Sequence, residues 1–125
     1  MSKYSIILGN LGNTCDRFLS SGYKDEIPKA ELIKQASEIE GVEGVELVGT
    51  WDVAPENVDE VGELLDRYGL ECVSIIPDHF SQKRWGKGCL AAKDSEIRKQ
   101  ALDYTFDCVE MARKLNCKTL NIWPG

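Results

Sequence analysis

The chain has 125 residues, 42% of them hydrophobic and 29% charged, enough for one domain with a hydrophobic core and too apolar for disorder. Its formal net charge of −6 argues against a nucleic-acid or anionic-membrane surface, either of which calls for a basic stripe. No run approaches the ~20 apolar residues of a membrane span, MSKYSIILGN turns polar too soon for a signal peptide, and the five cysteines include no Cys-x-x-Cys pair. These features predict reduced thiols in a cytoplasmic protein.

In chain order, YSIIL (4–8) reads as a first strand, Ile-rich and closed by glycine. GNLGNTCDRFLSSGYKDEIP follows as a long loop without helical periodicity; it matches neither G-x-G-x-x-G nor the Walker pattern, so no phosphate loop is expected. Pro28 then suits a first helical turn, and Leu32, Ile33, Ala36 and Ile39 form an apolar stripe that Gly41 ends. GVELVG (44–49) is a second strand. A second helix follows Asn57, with Val58, Val61, Leu64, Leu65 and Tyr68 on one face and Gly69 as its stop. ECVSIIP (71–77) is a third strand, followed by the loop DHFSQKRWGKGCLAAK. The third helix opens at Asp94 or Ser95 and carries Ile97, Ala101, Tyr104, Cys108, Ala112 and Leu115 at helical spacing. TLNIW (119–123) is a fourth strand.

The order β-α-β-α-β-α-β predicts an α/β fold with parallel strands joined by right-handed crossovers. Alternation along the strands puts Tyr4, Ile6, Leu8, Val45, Leu47, Val73, Ile75, Leu120 and Ile122 on one apolar face. The other face takes Ser5, Ile7, Glu46, Val48, Thr50, Ser74, Ile76, Asp78, Asn121 and Trp123, with a polar group from every strand. An open sheet covered by helices on both sides would be apolar on both faces; one polar-tinged face favours a barrel with a lumen.

In a barrel of this class the working residues lie at the C-terminal strand ends and on the loops after them. The two long loops follow the first and third strands, whereas the returns from helix to strand are short, which points to one decorated end. His79, the single histidine, follows the third strand and reads either as a proton-transfer or hydroxyl-binding group at the barrel mouth or as a loop histidine bonded to backbone. Asp78 either orients it and binds a hydroxyl or stabilises the turn after Pro77. Trp123 and Trp51 each offer a wall for the C–H face of a sugar, with core filling as the alternative. Trp85, beside Lys83, Arg84 and Lys87, marks a lid or an anchored loop. Glu46 faces the lumen, where a carboxylate needs an Arg, Lys or backbone partner unless it positions substrate. No Ser-His-Asp or Cys-His nucleophile set and no metal-ligand spacing emerges from the sequence.

GVEGVELVG, ECVSIIPDHF and above all DSEIRKQALDYTFDCVEMARKLNCKTLNIWPG resemble the xylose-isomerase-like TIM barrels, the sugar isomerase and epimerase superfamily, with the flavour of the L-rhamnose-isomerase-like enzymes. The resemblance implies that residues 1–125 are the N-terminal half of a (β/α)8 barrel about twice as long. It also implies a divalent metal (Mn²⁺, Mg²⁺, Co²⁺ or Zn²⁺) whose ligands, acidic residues and a histidine on strands five to eight, lie beyond Gly125, so that this half holds none. Trp123 matches a family tryptophan against the sugar; His79 and Trp51 match by position only.

The leading expectation is therefore the substrate-lining half of a sugar or sugar-phosphate isomerase or epimerase. Its expected partners are the small sugar and either the other half-barrel or further copies of the chain; nucleic acid and membrane are not expected. The alternative is a non-catalytic half-barrel that self-associates into a closed one. An apurinic-site endonuclease on the same barrel is disfavoured by the net charge of −6.

Overall fold

The computed structural model describes residues 3–14, 18–19 and 21–124. Strands β1 (Tyr4–Ile7), β2 (Val42–Val48) and β3 (Glu71–Ile76) form one parallel sheet in sequence order. Helices α1 (Lys29–Ser37), α2 (Val58–Tyr68) and α3 (Ser95–Lys114) follow the three strands in turn, so the α/β class and parallel pairing are as the sequence predicts. Short 3-10 turns occupy Leu8–Leu11 and Lys83–Trp85.

Local chemistry sets the helix ends. Gly69 takes a left-handed φ of 67°, and the Leu70 amide reaches back to the Leu65 carbonyl at 3.0 Å, which ends α2 with its last carbonyls satisfied. Asn116 does the same for α3 at φ 52°, with the Cys117 amide 2.8 Å from the Ala112 carbonyl. At the other end of α3 the Asp94 carboxylate accepts from the Glu96 amide at 2.9 Å.

One core lies between sheet and helices. Leu32, Ile33 and Ala36 of α1, Val61, Leu64 and Leu65 of α2, and Cys108, Met111 and Ala112 of α3 cover Val45, Leu47 and Ile75. Ile39 lies past the end of α1 and is exposed, so the first stripe is one residue shorter than the spacing predicts.

The sheet departs from simple alternation at Val73. Val45 pairs with Cys72 and Glu46 with Ser74, which leaves Val73 as an extra residue in β3. The bulge inverts parity ahead of it: Cys72 packs on the core, while Val73 is 42% exposed and lies over Gly44, where a Cβ would collide with it. Val73 therefore does not belong to the helix-covered face. Tyr4, also expected there, is exposed at the start of β1.

The fourth predicted strand is reduced to a single parallel bridge between Ile75 and Leu120. Two backbone bonds hold it, Ile75 N–H to the Thr119 carbonyl at 3.1 Å and Asn121 N–H to the Ile75 carbonyl at 2.9 Å. The segment lies in line with the sheet at the β3 edge and pairs on that side.

A candidate functional site at the C-terminal strand ends

The turns after β2 and β3 meet beside the end of the fourth segment. After β2, Thr50 holds a left-handed φ of 72°, a strained conformation for a β-branched residue. Its amide bonds to the Val53 carbonyl at 2.9 Å, and its hydroxyl lies 2.9 Å from the Tyr104 hydroxyl. Gly49 just before it makes the approach of α3 possible, since a Cβ there would run into the Tyr104 hydroxyl and press on the Cys108 sulfur. Asp52 closes the turn. Its buried carboxylate accepts the Val48 amide at 2.8 Å and the Lys29 ammonium at 2.6 Å.

After β3, Asp78 organises the chain. Its carboxylate accepts the Ser81 amide at 2.8 Å and the Ser81 hydroxyl, and its own amide donates to the Tyr104 hydroxyl at 3.2 Å. Its carbonyl accepts the Trp85 indole N–H at 2.8 Å. With no exposed surface and its oxygens engaged in a turn, Asp78 occupies the structural role that its position after Pro77 allows. The same bond explains Trp85. The ring is buried and pinned to the turn, with the Arg84 guanidinium 4.1 Å above it, an anchor rather than an open lid.

His79 points away from the mouth, beneath α3, and has no exposed surface. Its ring meets Trp85 and Tyr104 edge-on at 5.8 and 5.7 Å, and Nε2 lies 3.2 Å from the Ala101 carbonyl and 3.2 Å from the Thr105 hydroxyl. Burial lowers its pKa below the ordinary 6.5, against the opposing pull of the Ala101 carbonyl and Asp78, so the ring is neutral at pH 7. Neutral imidazole with Nε2 as donor to Ala101 leaves Nδ1 as a buried acceptor without a protein partner among the described residues.

The surface of the mouth is aromatic. Trp51 meets Phe80 at 5.6 Å in a T-shaped contact, and Phe80 meets Trp123 at 5.4 Å, tilted by 35°. The Trp51 indole donates to the Ser81 hydroxyl at 3.0 Å, which ties this arc to the Asp78 turn. Trp123 is 40% exposed, and its N–H donates to the side-chain oxygen of Asn121, two residues back, at 3.2 Å. Beside Trp51, between the loop after β1 and the turn after β2, lies a cavity of about 350 Å³ lined by Asn13, Glu26, Lys29, Thr50 and Asp52 among others.

Glu46 sits on the lumen side of β2 as its parity predicts, and is half-buried. Its partner is neither a cation nor backbone but the Ser74 hydroxyl of the next strand, which donates at 2.7 Å. Among the described residues no three His, Cys, Asp or Glu side chains converge to hold a metal ion.

The structure thus brings Trp51 and Trp123 together through Phe80, places Asp78 behind them as support, and sets His79 and Glu46 apart from the arc. Phe80, Ser81 and Tyr104 carry no site signal in the sequence. Phe80 is hidden by its celebrated neighbour type, the histidine beside it, and Tyr104 reads as one more member of the apolar stripe of α3. Cys15, and most of the middle of the loop after β1, lie outside the described residues.

A family model described as the xylose isomerase-like TIM barrel matches residues 33–125. A probable sugar isomerase of Mesorhizobium japonicum is 28% identical over 127 aligned positions, which cover 94% of this chain and 29% of that protein. The crystal structure of an AP endonuclease, family 2, from Brucella melitensis superposes with a TM-score of 0.61 over 96% of this chain and 40% of that one. Its identity is 22%, a likeness of fold. The chain therefore spans under a third of the curated relative it matches, 29%.

Proposed function

Because this chain belongs to the xylose isomerase-like TIM barrel family, we propose that residues 1–125 form the N-terminal, substrate-lining half of a sugar or sugar-phosphate isomerase or epimerase. The observation that carries the reading is the arc Trp51–Phe80–Trp123 at the C-terminal ends of successive strands. Aromatic faces there match the alternating C–H patches of a sugar ring, and exclude water from them. The sugar isomerase relative supports the substrate class.

In this reading Trp123 and Trp51 hold the sugar, Phe80 completes the wall, and Asp78 and His79 position the turn that carries Phe80 and Ser81. Glu46, paired with Ser74, offers its free carboxylate oxygen to a hydroxyl deeper in the lumen. The divalent metal of the proposed enzyme would supply polarisation of the substrate's carbonyl and hydroxyl oxygens, from ligands outside this chain.

The test is tryptophan fluorescence during titration with aldoses, ketoses and their phosphates. Saturable quenching is expected, with Trp123→Ala abolishing it at an unchanged urea midpoint, since that side chain is 40% exposed and contributes little to the core. Quenching that persists in Trp123→Ala removes that residue from the site. No quenching by any sugar, with the protein folded, counts against the substrate-lining reading.

A second reading is favoured by the exposed Val73 on the lumen face and by the one-sided pairing of the fourth segment: two copies close one barrel. Light scattering on a sizing column separates the readings, since a dimer that binds no sugar fits the second alone.

A further inference from the structure

The cations of this acidic chain are unevenly placed. Residues 82–93, QKRWGKGCLAAK, carry Lys83, Arg84, Lys87 and Lys93 and no carboxylate, in a protein with 21 acidic side chains against 15 basic ones. All four line one cavity of about 970 Å³ between the turn Lys83–Trp85 and the start of α3. A single carboxylate, that of Asp94, joins them in the lining, and it caps α3 by accepting the Glu96 amide. None of the four cations pairs with a carboxylate among the described residues, whereas Lys29, Lys99 and Lys114 each do.

The cavity is built on fixed walls. The Gly86 amide donates to the Lys83 carbonyl at 3.1 Å and the Gly88 amide to the Trp85 carbonyl at 2.9 Å. Across from them the Arg98 guanidinium donates to the Ala92 and Lys93 carbonyls at 2.7 and 2.8 Å. Arg84 is held on two sides. Its guanidinium lies 4.1 Å over the buried Trp85 ring, and its Nε donates to the Gln82 side-chain oxygen at 2.7 Å. Gln82 is itself tied to the Thr50 hydroxyl at 3.3 Å. The terminal nitrogens of Arg84 have no partner among the described residues, so an oriented fork of N–H donors is left for a ligand.

A planar fork beside mobile ammonium groups suits a phosphate, which takes paired N–H donors and carries a charge of about −1.5 to −2 near neutral pH. Four cations against one carboxylate match that charge, and a neutral sugar would leave them unbalanced. Because Arg84 is already stacked and bonded, little side-chain freedom is lost on binding. We propose that this cavity is a phosphate-binding site, taking the phosphate monoester of a small phosphorylated molecule. The phosphate has two sources, a sugar phosphate seated on the aromatic arc or a separate phosphorylated ligand. The loop touches the carriers of the arc at both ends: Lys83 follows Phe80 by three residues, and the Cys89 thiol donates to the Pro124 carbonyl beside Trp123 at 2.7 Å. The site itself stands on its own cations, whatever the mouth binds.

The experiment follows the amide signals of Gly86 and Gly88 by NMR as the protein is titrated with inorganic phosphate, glucose 6-phosphate and glucose. Sodium chloride at matched ionic strength is the control. Saturable shifts are expected with both phosphates and none with chloride or glucose. Arg84→Gln and Lys87→Gln should each weaken phosphate binding about tenfold, as loss of a charge-assisted bond does, while Lys118→Gln leaves it unchanged. Glucose 6-phosphate that binds more tightly than phosphate, with the gain lost in Trp123→Ala, assigns the phosphate to a substrate on the arc. Equal affinities that Trp123→Ala leaves alone assign it to a separate ligand. Shifts no larger than with chloride, or an affinity unchanged in Lys87→Gln and Arg84→Gln alike, overturn the proposal. Lys87 is exposed and unpaired, so its variant decides the matter even if Arg84→Gln, which gives up the stack on Trp85, does not fold. Tryptophan quenching by glucose with no phosphate shifts removes this site and leaves the substrate-lining reading standing.

Discussion

Replacing Asp78 with alanine tests whether the mouth is organised by one buried carboxylate. In the native turn the carboxylate accepts the Ser81 amide at 2.8 Å and the Ser81 hydroxyl, with a longer contact to the Phe80 amide at 3.4 Å. Hydrogen bonds to a charged group contribute about 1.5–3 kcal/mol each, and a buried donor left unpaired costs about as much. Two good bonds therefore put the loss for Asp78→Ala at about 3–6 kcal/mol, a large share of the roughly 5–15 kcal/mol that holds a domain together. Asp78→Asn keeps one carbonyl acceptor for the Ser81 amide and should lose about 1–2 kcal/mol. The assay is urea unfolding followed by tryptophan emission, with wild type and both variants at one pH and one salt concentration. The emission of the folded state gives a second readout, because the Ser81 hydroxyl also receives the Trp51 indole at 3.0 Å. A red shift of folded Asp78→Ala is expected as that bond loosens. If Asp78→Ala unfolds within about 0.5 kcal/mol of wild type, the turn is held by its backbone and the carboxylate must be assigned another task.

Gly49→Ala drives a methyl group into the Tyr104 hydroxyl and should lower stability by about 1–3 kcal/mol, a loss that the Tyr104→Phe background partly recovers because the colliding oxygen is gone. A full additive loss in the double variant would refute the contact. His79 predicts an acid limb: its folded pKa lies below the unfolded 6.5, so the neutral ring's contribution is complete above that value and is lost as pH falls through it. Urea midpoints between pH 8 and pH 5, as an approximate working range, should fall on acidification in wild type and flatten over that step in His79→Gln. An equal slope in both would assign the acid sensitivity to other groups.

What the sequence states well is whatever a short stretch decides by itself. The left-handed stop at Gly69, the Asp94 cap and the stripe Val58–Val61–Leu64–Leu65 all follow from local geometry, and so does the β-α order that fixes the class. What it hides is settled by neighbours distant in the chain. His79 follows a strand, as a mouth residue should, yet α3 crosses above it and Ala101 and Thr105 occupy its ring nitrogen. Val73 obeys alternation until its pairing with β2 is known, and the extra residue there turns it to the lumen and Cys72 to the core. Tyr104 reads as core spacing, but its hydroxyl bonds Thr50 and the Asp78 amide, joining the turns after β2 and β3. A single polar atom at the end of a core side chain thus decides how two loops meet, and no periodicity records it. The aromatic arc has the same origin: Trp51 follows β2 and Trp123 ends the fourth segment, and Phe80 joins them because the Asp78 turn presents it there.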